Sequence, residues 1–453
     1  MKFLMTSKIS LVVFLCLVGV APALAVNGKI IDQQIDANGR GYTVIRLWGS
    51  HYQMGYAHAS LLGDHIVKAV GEFKTYLGFL YNTTRTRISN SVWMPPDIEE
   101  ELDGMVDCLA VTHPSANISK LDLKVCNTTG DWGYACRSHT CWGRYVQAPI
   151  KTLSTRRLDF PMIISSMKHH VLFVCIPDDG STKWVNFAWP GIVTAAQGVN
   201  EFGTLVSLHD YNSYGADISA GRMSRMVACR YALTYANSAD ISTHLTDTFA
   251  ELQKYEIMTG TFLNYYAPQG YGGVMACNPH NTGGPDFYHV RTPKVVWHHG
   301  EAMVTTNLWT DGTYTPSDEE FGADTYYNDE SPKTHESHWN LLSPSLLVGS
   351  QRLSVAYRNR EDMTIWADGR LDTGRTPRLE YEWVRLFDLY DGSYDLNSDG
   401  TIQFKDFNIL AQHWLQNEPS VDIAPAPAGD GSIDFKDLAV LAEHWLEQIA
   451  GIP

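Results

Sequence analysis

Ala135-Cys136-Arg137-Ser138-His139-Thr140-Cys141-Trp142-Gly143-Arg144, followed by Thr155-Arg156-Arg157-Leu158-Asp159-Phe160, is where the chemistry of this 453-residue chain concentrates. An arginine close to a cysteine favours the thiolate, the form that attacks a carbonyl carbon. An aspartate three residues further on can hold a cationic amine in place. Each residue also has a plainer use: Cys136 and Cys141 could be linked or be small core side chains, and Arg156 and Asp159 could form an ion pair of structural value only.

Outward from this stretch the composition is that of an ordinary globular protein, with 44% hydrophobic residues and length enough for two or three domains. Residues 1–25 carry Lys2 and Lys8, an apolar run from Ile9 to Val20, and Ala23-Leu24-Ala25. That pattern predicts a secretory signal peptide cut before Val26, and therefore an exported protein. Nothing later is apolar for long enough to span a bilayer. Seven cysteines follow the leader, an odd count that leaves at least one free thiol. The net charge of −16 argues against nucleic acid or an anionic membrane as partner.

Residues 391–453 hold eleven acidic and two basic side chains, and the acids fall in register. Asp395, Asn397, Asp399, Thr401, Gln403 and Asp406 form a twelve-residue loop with Gly400 at its sharp bend, a ligand set suited to Ca2+. Phe-Lys-Asp-Phe-Asn-Ile-Leu-Ala-Gln-His-Trp-Leu at 404–415 then recurs at 435–446 in eight of twelve positions. This duplication of loop and helix resembles a dockerin, a calcium-folded all-α module, which implies a cohesin-like receptor as partner and a bacterial owner. In the second copy Asp430, Asp434 and Asp437 keep their places, while the first and third ligand positions fall on Ala426 and Ala428; Asp422 could reach in instead.

Residues 26–390 read as one α+β domain. Helical spacing of apolar residues predicts helices over 54–80 and 223–236, and short β-rich runs predict strands at 171–176, 203–208, 294–298 and 363–366. Leu-Trp-Gly-Ser-His-Tyr-Gln-Met-Gly-Tyr-Ala-His-Ala at 47–59, the cysteine segment, the Arg-Arg-Leu-Asp turn, Trp-Pro-Gly…Val-Asn-Glu-Phe-Gly at 189–203 and Thr-Thr-Asn-Leu-Trp at 305–309 together resemble the isopenicillin-N acyltransferase-like family. That family belongs to the N-terminal-nucleophile (Ntn) hydrolases, so the resemblance implies a four-layer α-β-β-α sandwich and autoproteolysis at Ala135-Cys136. Within it, Cys136 is the nucleophile and its freed α-amine the general base. Arg156 and Asp159 orient thiolate and amine, and Asn200 and Asn307 bind the oxyanion. Only Cys136, and not Cys141, puts Ser138 and Trp142-Gly143 in the family's register. Arginine at 137, histidine at 139 and arginine at 157 depart from its pattern.

The function these readings imply is a secreted cysteine amidohydrolase or acyltransferase acting on a small linear amide through a thioester, tethered by its dockerin. Two alternatives stand beside it. One is a non-catalytic, degenerate Ntn fold carried as a dockerin-borne component of an extracellular complex. The other is a part in polysaccharide breakdown.

Overall fold

The computed structural model describes residues 26–132, 135–159, 164–210, 221–235, 240–277, 288–291, 301–305, 326–342, 347–387, 394, 396, 402–417, 421–424, 431–443 and 445. The chain divides into two compact units, Asn27–Asp388 and one that takes in Leu389–Pro453. The leader expected at 1–25 and the strand expected at 294–298 lie outside the described residues.

The long helix of the larger unit, His51–Leu77, starts at a capping box in which Ser50 Oγ accepts from the Gln53 backbone and Gln53 Oε1 accepts from the Ser50 N–H. The predicted helix at 54–80 is thus shifted toward its cap. Met54, His58, Leu62, Ile66, Ala69 and Phe73 recur at helical spacing on its buried face. It lies very close to the Pro96–Thr112 helix: a Cβ on Gly55 would fall 1.9 Å from the Glu101 carbonyl oxygen, and one on Gly104 would fall 2.1 Å from that of Tyr52. Two glycines therefore set the distance between these helices. The helix expected at 223–236 is found at Arg225–Thr234, capped by Ser224.

Nine strands form the first sheet, in the order Gly28–Ile35, Gly41–Gly49, His169–Pro177, Trp184–Ala188, Gln197–Asn200, Leu205–Asp210, Thr261–Tyr266, Gly273–Cys277 and Tyr288–Arg291. Gly41–Gly49 runs parallel to His169–Pro177, and the other neighbours are antiparallel. The second sheet runs Ala302–Thr305, Ala135–Trp142, Thr152–Asp159, Gln351–Tyr357, Met363–Leu371, with Gly374–Arg375 and Leu379–Glu382 both pairing with the last of these.

Alternation decides what each face meets. Val44, Leu172, Val174, Val185 and Phe187 of the first sheet share one buried core with Leu353, Val355, Ile365 and Ala367 of the second, so the sheets face each other. Phe173, on the opposite face of the first sheet, packs its ring 4.7 Å from that of His58 on the long helix. On the outer face of the second sheet, Thr155 Oγ1 lies 2.7 Å from Nδ1 of His338, which belongs to the His335–Leu341 helix. The order of layers is helix, sheet, sheet, helix.

In the smaller unit, helices Phe404–Gln412 and Phe435–Glu443 pack over Ile402, Leu410, Ile433 and Leu441. These occupy matching places in the two repeats. Leu415 N–H donates to Ile433 O at 2.9 Å, and Ile433 N–H donates to Gln416 O at 3.2 Å, which joins the copies through their backbones.

Candidate active site

The strands Ala135–Trp142 and Thr152–Asp159 are neighbours whose register pairs Cys136 with Leu158 and Ser138 with Arg156. Paired residues of an antiparallel ladder share a face, so Cys136, Ser138 and Arg156 all point into the space between the sheets. The Arg156 guanidinium donates through Nη2 to Cys136 Sγ at 3.0 Å and to Leu208 O at 2.6 Å, and through Nη1 to Gln197 Oε1 at 3.1 Å. Leu208 and Gln197 belong to the facing sheet. One fully buried guanidinium therefore ties the thiol to both sheets, and those acceptors are what make its burial tolerable.

Arg156 was expected to favour thiolate. Burial pushes the Cys136 thiol up from its ordinary value, and the positive charge of Arg156, with a smaller pull from Arg225, offsets this only in part. The net effect is a thiol held above its ordinary value, since desolvation outweighs the cation.

Asp159 stands on the other face of the same sheet, in register with Ala135. Its ion pair is with Arg157, whose Nε and Nη2 lie 2.9 and 2.8 Å from Oδ2, and the pairing with Arg156 considered from sequence is not formed. Asp159 Oδ1 is buried without a hydrogen-bond partner. An orphaned buried carboxylate oxygen is costly unless a donor reaches it.

Asn200 is placed elsewhere. Its Oδ1 accepts from the N–H groups of Phe202 and Thr204, both at 3.1 Å, and its Nδ2 donates to Leu233 O at 3.3 Å. It is a turn residue facing the Arg225–Thr234 helix, because it lies three positions from the inward-facing Gln197 on one strand. That corrects the oxyanion role expected of it. Asn307 lies outside the described residues. Cys141 faces outward into a cluster with Tyr145, Leu153 and Tyr327, where burial pushes its thiol up to about 12. It is no rival to Cys136, and all seven described cysteines are free, so no cystine joins the two.

Several polar side chains between the sheets, Ser207, His209, Gln197 and Gln351 among them, were not singled out from sequence. Ser138 Oγ lies 2.6 Å from His209 Nε2 and 3.3 Å from Ser207 Oγ. Gln197 Nε2 donates to Gln351 Oε1 at 2.9 Å. A legible signal did exist: in Leu205-Val-Ser207-Leu-His209, the positions that alternation assigns to the core carry a hydroxyl and an imidazole.

In the smaller unit, Asp395, Asn397, Asp399, Thr401 and Asp430 lie outside the described residues. Asp406 accepts from the Gln403 N–H at 2.8 Å. Asp437, expected as a calcium ligand, accepts from Ile423 and Ala424 N–H through Oδ1 at 2.7 and 2.8 Å, and from Asp434 N–H through Oδ2 at 2.7 Å. Asp434 Oδ1 accepts from the Lys436 N–H at 2.7 Å, and Asp422 Oδ2 from the Gly431 N–H at 2.6 Å. Backbone amides thus bond Asp422, Asp434 and Asp437 of the second loop as the Gln403 N–H bonds Asp406 of the first. Among the described residues, no three His, Cys, Asp or Glu side chains are grouped so as to hold a metal ion, and no helix is long and apolar enough to cross a membrane.

The larger unit is thus a layered sandwich of mixed helix and sheet with a thiol and a guanidinium buried between its sheets. No family model matches the sequence, and no curated protein matches it significantly. Among solved structures 17 chains match. One is a Caenorhabditis elegans N-acylethanolamine-hydrolyzing acid amidase (NAAA) ortholog, 13% identical, with the match covering 49% of this chain and 92% of that chain at a TM-score of 0.34. At that identity and score the likeness carries no argument about function, and the site is read from its own residues.

Proposed function

We propose that the protein is an Ntn-type cysteine amidohydrolase or acyltransferase for linear amides, activated by scission of Ala135–Cys136. The observation that carries this reading is the Arg156 guanidinium 3.0 Å from Cys136 Sγ, inside the sandwich and on the strand whose end sets Asp159 opposite Ala135. In the self-cleavage step the sulfur adds to the Ala135 carbonyl carbon, the C–N bond breaks as a C–S bond forms, and water resolves the thioester. This leaves a carboxylate on Ala135 and an amine on Cys136. Departure of Ala135 opens the place next to Asp159 Oδ1, and the new amine supplies the donor that this oxygen lacks.

The free amine titrates near pH 8, close enough to neutrality to take the thiol proton. Cys136 then attacks the substrate carbonyl, the leaving amine departs with a proton from the α-ammonium, and water or an acceptor amine releases the acyl group. Asn307 is the side chain we assign to the oxyanion. For the smaller unit we propose a dockerin-type module binding Ca2+ through Asp395, Asn397, Asp399, Thr401, Gln403 and Asp406 of the first loop, joined to a cohesin-like receptor outside the cell.

The test is acylation. Incubated with an activated linear amide, the processed protein should gain one acyl mass, mapped to the peptide beginning at Cys136 and removed by hydroxylamine. An adduct that persists in Cys136→Ala refutes the assignment.

A further inference from the structure

A cavity of about 420 Å3 opens where the starts of helices His51–Leu77 and Pro96–Thr112, the turn that carries Asp179 and the end of helix Arg225–Thr234 come together. That is room for a small molecule. Part of the wall is aromatic: the Tyr231 and Tyr235 rings line it in near-parallel contact, with centroids 5.5 Å apart. Tyr231 meets Tyr255 edge to face at 6.1 Å, and Tyr255 stacks on Trp93 at 4.4 Å. All four rings are half-buried, so the packed series holds the two lining tyrosines in place while leaving ring surface open.

The charged part of the wall is acidic. Asp97, Glu100 and Asp179 line the cavity, and His51 is the one basic group among the described lining residues. His51 is already engaged, with Nδ1 2.9 Å from Glu101 Oε1 and Nε2 3.4 Å from Asp179 Oδ2. The buried Arg230 gives its Nη2 to the same Glu101 oxygen at 2.7 Å. Asp97 and Glu100 are therefore left without an ion-pair partner among the described residues. A helix start welcomes carboxylates in its first turn, and Asp97 and Glu99 stand there in Pro96–Thr112. Glu100, past that turn, has no such use.

We infer that this cavity binds a small organic ammonium ion, its charge met by Asp97, Glu100 and Asp179 and its alkyl groups laid against Tyr231 and Tyr235. Ring faces and carboxylates favour the same sign of charge, and together they select a cation with apolar substituents. A metal ion would leave the tyrosines without a role, and an anion would meet unpaired carboxylates. The inference goes beyond the amide-cleaving reading and does not depend on it, since none of these side chains takes part in that chemistry.

The experiment is calorimetric titration of the full-length protein, at low salt, with choline and with its neutral isostere 3,3-dimethyl-1-butanol. Choline should bind saturably, at least about tenfold more tightly than the alcohol. Glu100→Gln, a change at an exposed position, and Tyr235→Leu should each weaken choline about threefold or more while leaving thermal unfolding close to wild type. Cys136→Ala should bind choline as the wild type does. Absence of saturable binding, equal affinity for the alcohol, or unchanged affinity in both cavity variants overturns the inference and leaves the amidase reading as it stands. Loss of binding in Cys136→Ala overturns it too, by moving the ligand to the thiol.

Discussion

Arg156 is the residue on which the interior of the sandwich turns. Its guanidinium meets a sulfur, a carbonyl and a carboxamide at once, and no other side chain matches that fork. Arg156→Met keeps the volume but leaves Leu208 O and Gln197 Oε1 without their donor, so stability should fall by about 3 kcal/mol in urea titrations. In the same variant the Cys136 thiol loses its main stabilising charge, and alkylation of that cysteine by iodoacetamide at pH 8 should slow. An unchanged alkylation rate would mean that the arginine does not act on the sulfur. Both residues were legible in the sequence as types at a spacing. What could not be read was the sign of their contest: that burial, which no motif displays, outweighs the cation. Asn200 shows the opposite limit, since a Val-Asn-Glu-Phe-Gly segment has one sequence whether its amide is aimed at a ligand or folded back on its own turn.

The elements were legible where periodicity and caps agree. Ser50 and Gln53 start the long helix at His51, and Ser50→Ala should cost about 1 kcal/mol of stability. The contact between that helix and Pro96–Thr112 is more demanding. With 2.1 Å separating a Cβ on Gly104 from the Tyr52 carbonyl oxygen, Gly104→Ala must force the helices apart and should cost about 3 kcal/mol, measured by urea or thermal unfolding. A loss below about 0.5 kcal/mol would show that the helices are not in such close contact. Sequence gave no notice of this, because a helix pair held by facing glycines depends on which two helices meet. The same holds for the contact of Ser138 with His209, whose strands are far apart in the chain and become neighbours only when both sheets are assembled.

The whole molecule should be sensitive to acid. Burial lowers His58 and His170 to about 4 and His169 and His338 to about 3, below the unfolded value of about 6.5. The unfolded chain therefore binds more protons between these values, and stability present above pH ~6.5 is lost as pH falls toward 4, at up to about 1.4 kcal/mol per pH unit for each such histidine. His51 has the opposite sign. Burial works against its charge, but the hydrogen bond and charge of Glu101 raise it, so its contribution is lost as pH rises through its folded value. Burial also lowers His65, His139 and His335, so the lowered rings outweigh His51; the urea midpoint should drop steadily from pH 7 to pH 4, and a flat profile would contradict the buried, neutral state of these rings.

The proposed scission ahead of Cys136 also belongs to the scale of the whole chain, and from it the proposed catalytic roles of the amine, of Asp159 and of the thiolate follow. Intact-mass analysis of the purified protein tests it most directly: two fragments should be found, the C-terminal one beginning at Cys136, and Cys136→Ala should remain a single chain. A full-length wild-type chain with an amide-linked Ala135 and no fragment starting at Cys136 would contradict it.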